Sequence, residues 1–179
     1  LIFWNMYAPV TLETFHDFIE ILLLSNLALH PNFNFLKTKS YKKDKVNIVT
    51  LGCAKNIVDS EVLLTQLRWN EIDTTYESQK DDANIVIINT CGFIENTKQE
   101  SIDTILRYAD AKKEGLIDNV YVMGCLSQRY REELAPEIPT VDDWFGTLEL
   151  PLLLKKFNAD YKHELVGERI TTTANHYSY

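Results

Sequence analysis

Cysteine is scarce in this chain, with three in 179 residues. An odd number cannot pair off internally, and so sparse a set is no secreted disulfide scaffold, which points to a reducing, cytoplasmic compartment. Basic charge is short as well: 18 Lys and Arg stand against 26 Asp and Glu, for a net charge of -8. Gripping a nucleic-acid backbone takes clustered cations, so direct nucleic-acid binding is not expected, and a protein substrate, a small molecule or a partner domain fits better. Long apolar runs are missing too. The most apolar window, Ile21 to Leu29 (ILLLSNLAL), is about half the length a bilayer span needs. It also lacks the basic flank and small-residue cleavage site of a secretory signal. No G-x-G-x-x-G or G-x-x-x-x-G-K-S/T follows a strand-like run, which removes the usual dinucleotide and triphosphate loops.

What is present is globular in proportion. The chain is 45 % hydrophobic and 25 % charged, and its length supplies one α/β domain with a real core plus peripheral material. Residues 1–45 stand apart as an amino-terminal extension: aromatic and aliphatic residues crowd together, Pro9 and Pro31 interrupt, and the segment closes in the basic run KTKSYKKDK. It reads either as an amphipathic helix around Thr14 to Leu29 or as sequence foreign to the domain. From Lys45 the pattern changes. VNIVTL (Val46 to Leu51), NIVIIN (Asn84 to Asn89) and NVYVMG (Asn119 to Gly124) are β-branched-rich and nearly continuously apolar, as parallel strands buried on both faces must be. Ile72 to Tyr76 and Asp142 to Phe145 are weaker strand candidates.

Helix signals lie between them. Asn56 is placed to cap a helix with Asp59 and Glu61 in its first turn and Val62, Leu63 and Leu67 on its buried face. Thr97-Lys98-Gln99-Glu100 has capping-box spacing, and Gly115 marks the end of that helix. A third helix over about Leu126 to Leu134 is expected to stop before Pro136. A fourth starts with Pro151 in its first turn and uses Leu152, Leu153 and Phe157. Strand and helix alternation predicts an α/β fold: an open parallel sheet of about five strands flanked by helices, in a flavodoxin- or Rossmann-like three-layer arrangement.

Each cysteine follows a predicted strand and each has a glycine neighbour: Cys53 with Gly52, Cys91 with Gly92, Cys125 with Gly124. In an open parallel sheet all strand carboxyl ends share one edge, and ligands bind in the crevice outside it. Glycine permits the sharp turn and a close backbone approach, and helix amino-termini at that edge favour thiolates. A single cysteine at a strand end is ordinarily a small buried hydrophobe. Three at equivalent places predict a soft metal site on Cys53, Cys91 and Cys125. Structural zinc prefers four ligands and local C-x-x-C pairs, which are absent; a cubane iron-sulfur cluster held by three cysteines from separate loops fits better, with one iron left open. A flavin phosphate loop is kept open by Thr50 and Thr90. His16, His30, His163 and His176 lie outside the cysteine-bearing turns and read as surface or packing residues. Lys55 and the run Arg129 to Glu133 read as solvated, and Trp144 and Phe145 as core.

LGCAKNIVDSE, INTCGFIENTKQESI and VYVMGCLSQRY closely resemble the three cysteine segments of the amino-terminal domain of methylthiotransferases, a radical S-adenosylmethionine family. The pairs Lys55-Asn56 and Gly92-Phe93, with Val58-Asp59-Ser60-Glu61 and Glu100-Ser101-Ile102, are similar to the ribosomal-protein (RimO) branch. The tRNA-modifying (MiaB-like) branch tends to carry Gln-Met-Asn and Ala-Val-Arg at two of these places, and neither occurs here. The resemblance implies an auxiliary 4Fe-4S cluster on Cys53, Cys91 and Cys125 whose open iron carries the sulfur to be transferred. It further implies a second cluster and S-adenosylmethionine in a radical domain whose C-x-x-x-C-x-x-C motif is not in this chain. The implied product is a β-methylthio-aspartate on small-subunit ribosomal protein twelve. On this reading 46–160 is the cluster-binding domain, 161–179 leads towards the radical domain, and the chain holds no catalytic residue of its own. A MiaB-like enzyme and a flavodoxin-like binding module are the alternatives.

Overall fold

The structure, a computed structural model, describes residues 44–80 and 82–172. The helix expected around Thr14 to Leu29, with His16, His30 and His176, lies outside the described residues. Five strands form one parallel sheet: β1 (Lys45–Thr50), β2 (Asp73–Tyr76), β3 (Ile85–Thr90), β4 (Asn119–Gly124) and β5 (Asp143–Phe145), in the order β2-β1-β3-β4-β5. The two weaker candidates are the edge strands, where one hydrogen-bonding side is unpaired and a short, partly polar run suffices. Among the described residues three α-helices fill connections between strands, α1 (Ala54–Trp69), α2 (Glu95–Lys113) and α3 (Cys125–Glu137), and α4 (Leu150–Lys155) follows β5.

Strand alternation divides the core. Val46, Ile48, Ile85, Ile87, Tyr121, Met123 and Phe145 pack with Leu63, Leu64 and Leu67 of α1 and with Leu153 and Leu154 of α4. The residues of opposite parity, Val49, Val86, Ile88, Val120, Val122 and Trp144, pack with Ile105 and Ala109 of α2 and Leu126 of α3. The chain moves from β1 one way to β2 and then the other way through β3, β4 and β5, so right-handed crossovers put α1 and α2–α3 on opposite faces. This is the expected three-layer architecture. The β2-to-β3 connection contains no helix and is tied down by Asn47, whose amide donates to the Ser78 carbonyl at 3.0 Å and accepts from the Ser78 N–H at 3.1 Å.

Helix ends differ from expectation where side chains are spent elsewhere. Helix α1 begins right after Cys53, whose carbonyl accepts from the N–H groups of Asn56 and Ile57. Asn56 is therefore inside the helix, fully buried, and its amide donates to the Leu51 carbonyl at 2.7 Å instead of capping. Neither Asp59 nor Glu61 is in the first turn. Thr97 likewise lies within α2, its hydroxyl donating to Ile94, the residue that does cap the helix. Gly115 ends α2 as expected: at φ +76° its N–H reaches Lys112 and that of Leu116 reaches Ala111, the paired bonds of a Schellman turn. Pro136 does not stop α3, which runs to Glu137. Proline forfeits one bond there, and the Ile138 N–H still closes the turn on Leu134 at 2.9 Å. In α4 the buried residues are Leu153 and Leu154, while Leu152 is exposed and Phe157 follows the helix.

Candidate metal centre at the carboxyl edge of the sheet

The three cysteines follow three adjacent strands, β1, β3 and β4, at the centre of the sheet. Strand order reverses between β1 and β3, so Cys53 and Cys91 flank the switch point, where open α/β sheets bind ligands. Cys53 caps α1 and Cys125 is the first residue of α3, placing both sulfur-bearing residues at the positive ends of helices. Cys91 precedes α2 by a short loop.

Two glycine turns bring these segments into close contact. Gly52, at φ +94°, approaches Cys91 so closely that a Cβ on it would lie 2.3 Å from the Cys91 Cβ and 2.9 Å from the sulfur. Gly124, at φ +103°, would put a Cβ 2.5 Å from Oδ1 of Asn89 and from the Thr90 carbonyl. Asn89 is fully buried beneath the edge and joins β3 to α1: its amide donates to the Asn56 carbonyl at 2.8 Å and to the Ser60 hydroxyl at 2.9 Å. Oδ1 of Asn56 and of Asn89 are buried without a protein partner. Asn89 thus lies within β3, in the strand run the sequence predicted.

The thiols are not equivalent. Cys53 is exposed, Cys125 half-buried and Cys91 buried. Burial pushes the Cys91 thiol up, but the N–H groups of Phe93 and Ile94, the Thr97 hydroxyl and the Arg129 guanidinium outweigh it and hold the thiol below its usual range. Ser101, fully buried, fixes the Cys91 backbone, accepting its N–H at 3.1 Å. Burial raises the Cys125 thiol, opposed by Lys55 and reinforced by the nearby thiols of Cys91 and Cys53. Lys55, bonded to Asp59 at 2.7 Å, has its ammonium form favoured first by that carboxylate, against burial, and then by Cys125 and Cys53. Arg129 lies 5.5 Å from the Phe93 ring and donates to the Gly92 carbonyl at 3.3 Å. Lys55 and Arg129 are exposed, as the sequence suggested, and their charges also act on the thiols of the edge.

Among the described residues no group of three His, Cys, Asp or Glu closes around one point as a single ion requires. The donors are three soft thiols, with no histidine or carboxylate among them, the set that a polynuclear iron-sulfur group takes. Thr90 is buried and donates to the Met123 carbonyl at 2.6 Å, so it is not available as a flavin phosphate ligand. His163 is exposed, its ring edge-on to Tyr161.

An open parallel sheet with helices on both faces and its order reversing between two central strands is a fold of the doubly wound α/β class. The chain belongs to the family described as Uncharacterized protein family UPF0004, whose model matches residues 45–146. It is 66 % identical over 144 residues to the ribosomal protein uS12 methylthiotransferase RimO of Cytophaga hutchinsonii, covering 80 % of this chain and 33 % of that protein. It is 60 % identical over 145 residues to the RimO of Flavobacterium johnsoniae (80 % and 33 %), and 49 % identical over 138 residues to that of Phocaeicola vulgatus (77 % and 32 %). The resemblance to the ribosomal-protein methylthiotransferases is thereby borne out. The chain spans about a third of the length of these relatives.

Proposed function

We propose that this domain holds an auxiliary 4Fe-4S cluster on Cys53, Cys91 and Cys125 and serves a cytoplasmic ribosomal protein uS12 methylthiotransferase. The observation that carries the reading is the placement of three thiols at the ends of three adjacent strands around the switch point. When bound, the cluster would supply the sulfur that becomes the methylthio group on the β-carbon of an aspartate. Cys91 is the anchored member of the set, its sulfur facing the Phe93 and Ile94 N–H groups and its backbone held by Ser101. Lys55 and Arg129 offset the negative charge of thiolates at the edge. Cys53 stands on the solvent side. The radical half of the reaction, with its second cluster and S-adenosylmethionine, belongs to the part of the relatives' length that this chain does not cover. With three cysteines and no C-x-x-x-C-x-x-C run, the chain by itself binds a cluster and does not turn over.

The test is iron and sulfide content after anaerobic reconstitution of the chain and of Cys53→Ser, Cys91→Ser and Cys125→Ser. The reading requires about four irons and four sulfides per chain, as one cubane holds, and loss of the cluster in each variant. Iron retained in all three serine variants refutes it.

A further inference from the structure

The residues after α4 are bound to α1 through a ladder of polar side chains. The Asn70 amide exchanges hydrogen bonds with the backbone of Asp160, donating at 3.2 Å and accepting at 3.3 Å. Gln66, fully buried, does the same with Lys162 at 2.6 and 2.9 Å. Thr65 accepts the Ile170 N–H at 2.7 Å. The last rung is Glu61, a carboxylate with no exposure at all, which accepts from the Thr172 N–H at 2.6 Å, the Thr172 hydroxyl at 3.0 Å and Nε of Arg169 at 3.1 Å. Between the rungs Leu165 is buried, and the Lys162 ammonium lies 5.4 Å from the Trp69 ring.

The ladder has a direction. As the segment advances from 160 to 172, its partners step back along α1 from 70 to 61, towards Cys53. At 1.5 Å per residue, Glu61 stands about 12 Å along the helix axis from the cysteine that caps it. A carboxylate is buried only where its bonds are satisfied, because an uncompensated buried charge is strongly unfavourable. Thr172 and Arg169 of the segment supply bonds of this kind, so docking of the segment helps to satisfy the buried Glu61 carboxylate.

We propose that Glu61 is a positioning residue: through Arg169 and Thr172 it holds residues 160–172 as a strap on α1, so that the chain passes Thr172 at a fixed place against Glu61, about two turns of helix from Cys53. The strap stands whether or not the thiols bind iron.

Hydrogen exchange resolved by residue on the 179-residue chain tests it, with trypsin cleavage after Arg169 as a second readout. In the unmodified chain the Lys162, Ile170 and Thr172 amides exchange slowly and the Arg169-Ile170 bond is spared. Glu61→Ala speeds exchange at Ile170 and Thr172 on the order of tenfold or more and opens that bond, while the Val86 to Ile88 amides are unchanged. Glu61→Gln, which keeps an acceptor oxygen, falls between. Should Glu61→Ala loosen the central strands as well, Thr172→Pro carries the test, since it removes the strap's N–H and leaves α1 intact. Free exchange at Ile170 and Thr172 in the unmodified chain, or protection indifferent to Glu61→Ala and Thr172→Pro, overturns the proposal. Iron content measured on the same samples separates the two readings. Iron unchanged in Glu61→Ala supports a role confined to the strap, whereas iron lost while the strap amides stay protected overturns it. Absence of iron from every sample refutes the cluster reading alone and leaves the exchange result to decide the strap.

Discussion

Replacing Gly52 by alanine separates two costs that the fold imposes at one residue. The backbone cost comes from φ +94°, where an L side chain crowds its own carbonyl by about 1–2 kcal/mol. The packing cost comes from the buried Cys91, because the new methyl would sit 2.3 Å from its Cβ and 2.9 Å from its sulfur. Overpacking of that kind costs about 1–3 kcal/mol, so the sum is about 2–5 kcal/mol, a large part of a typical domain's stability of about 5–15 kcal/mol. Gly115 supplies the control: its φ is +76° and nothing lies within 4 Å of a Cβ built there. Gly115→Ala therefore reports the backbone term alone, about 1–2 kcal/mol. Urea unfolding of the two variants beside the parent chain gives both numbers, and alkylation of Cys91 should quicken in Gly52→Ala as the sulfur is displaced. If the two variants lose the same stability and Cys91 stays equally protected, the first turn does not press on the second, and the convergence of these segments is refuted.

Two further outcomes follow from individual hydrogen bonds. Ser101→Ala leaves the buried Cys91 N–H without the acceptor it has at 3.1 Å, which should cost about 1–3 kcal/mol in urea unfolding; a loss within error would mean that Ser101 does not hold this cysteine. At the β5 edge, burial raises the Asp142 carboxyl, but Lys112, the Val120 N–H at 2.8 Å and Asn119 outweigh it and hold the group below its ordinary value of 3.8. A depressed carboxylate stabilises the fold above its unfolded value and loses that contribution as pH falls through the folded one. Asp142→Asn should thus cost about 1–2 kcal/mol at neutral pH, and the gap to the parent chain should close as pH drops below 3.8; a gap independent of pH would exclude this linkage.

The sheet was legible because its three central strands bury both faces and so carry nearly unbroken apolar runs that short polar turns interrupt. The same property exposed the cysteines as strand-end residues, since each follows such a run beside a glycine. Helix boundaries were less legible for a specific reason. Asn56 and Thr97 have capping chemistry, but the fold spends the Asn56 amide on Leu51 and the Thr97 hydroxyl on Ile94. The bonds that distinguish Cys91 come from residues up to ten positions on, and those of Glu61 from residues more than 100 positions away, where no local pattern reaches. One signal for the strap was present: Glu61, Thr65, Gln66 and Asn70 place polar groups along a helix whose neighbouring positions Val62, Leu63, Leu64 and Leu67 are core. A polar stripe inside an otherwise buried helix asks for a polar partner.

The spacing of the strands bears on what the thiols can hold. Neighbouring strands lie about 4.8 Å apart, so the carboxyl ends of β1 and β4, with β3 between them, start about 10 Å from one another. That span is too wide for three sulfurs to reach one ion without steep inward folding, and the described residues offer no such closure. The 4Fe-4S cluster proposed above would present a separate iron to each sulfur. The two glycines with positive φ, Gly52 and Gly124, belong to the outer strands of this trio, where the chain must turn inward most, while Cys91 on the middle strand is the buried and fixed member. Strand order, glycine placement and unequal burial thus set three thiols of differing exposure along one edge of the sheet, and any ligand of that edge meets a fixed Cys91 between a more open Cys53 and Cys125.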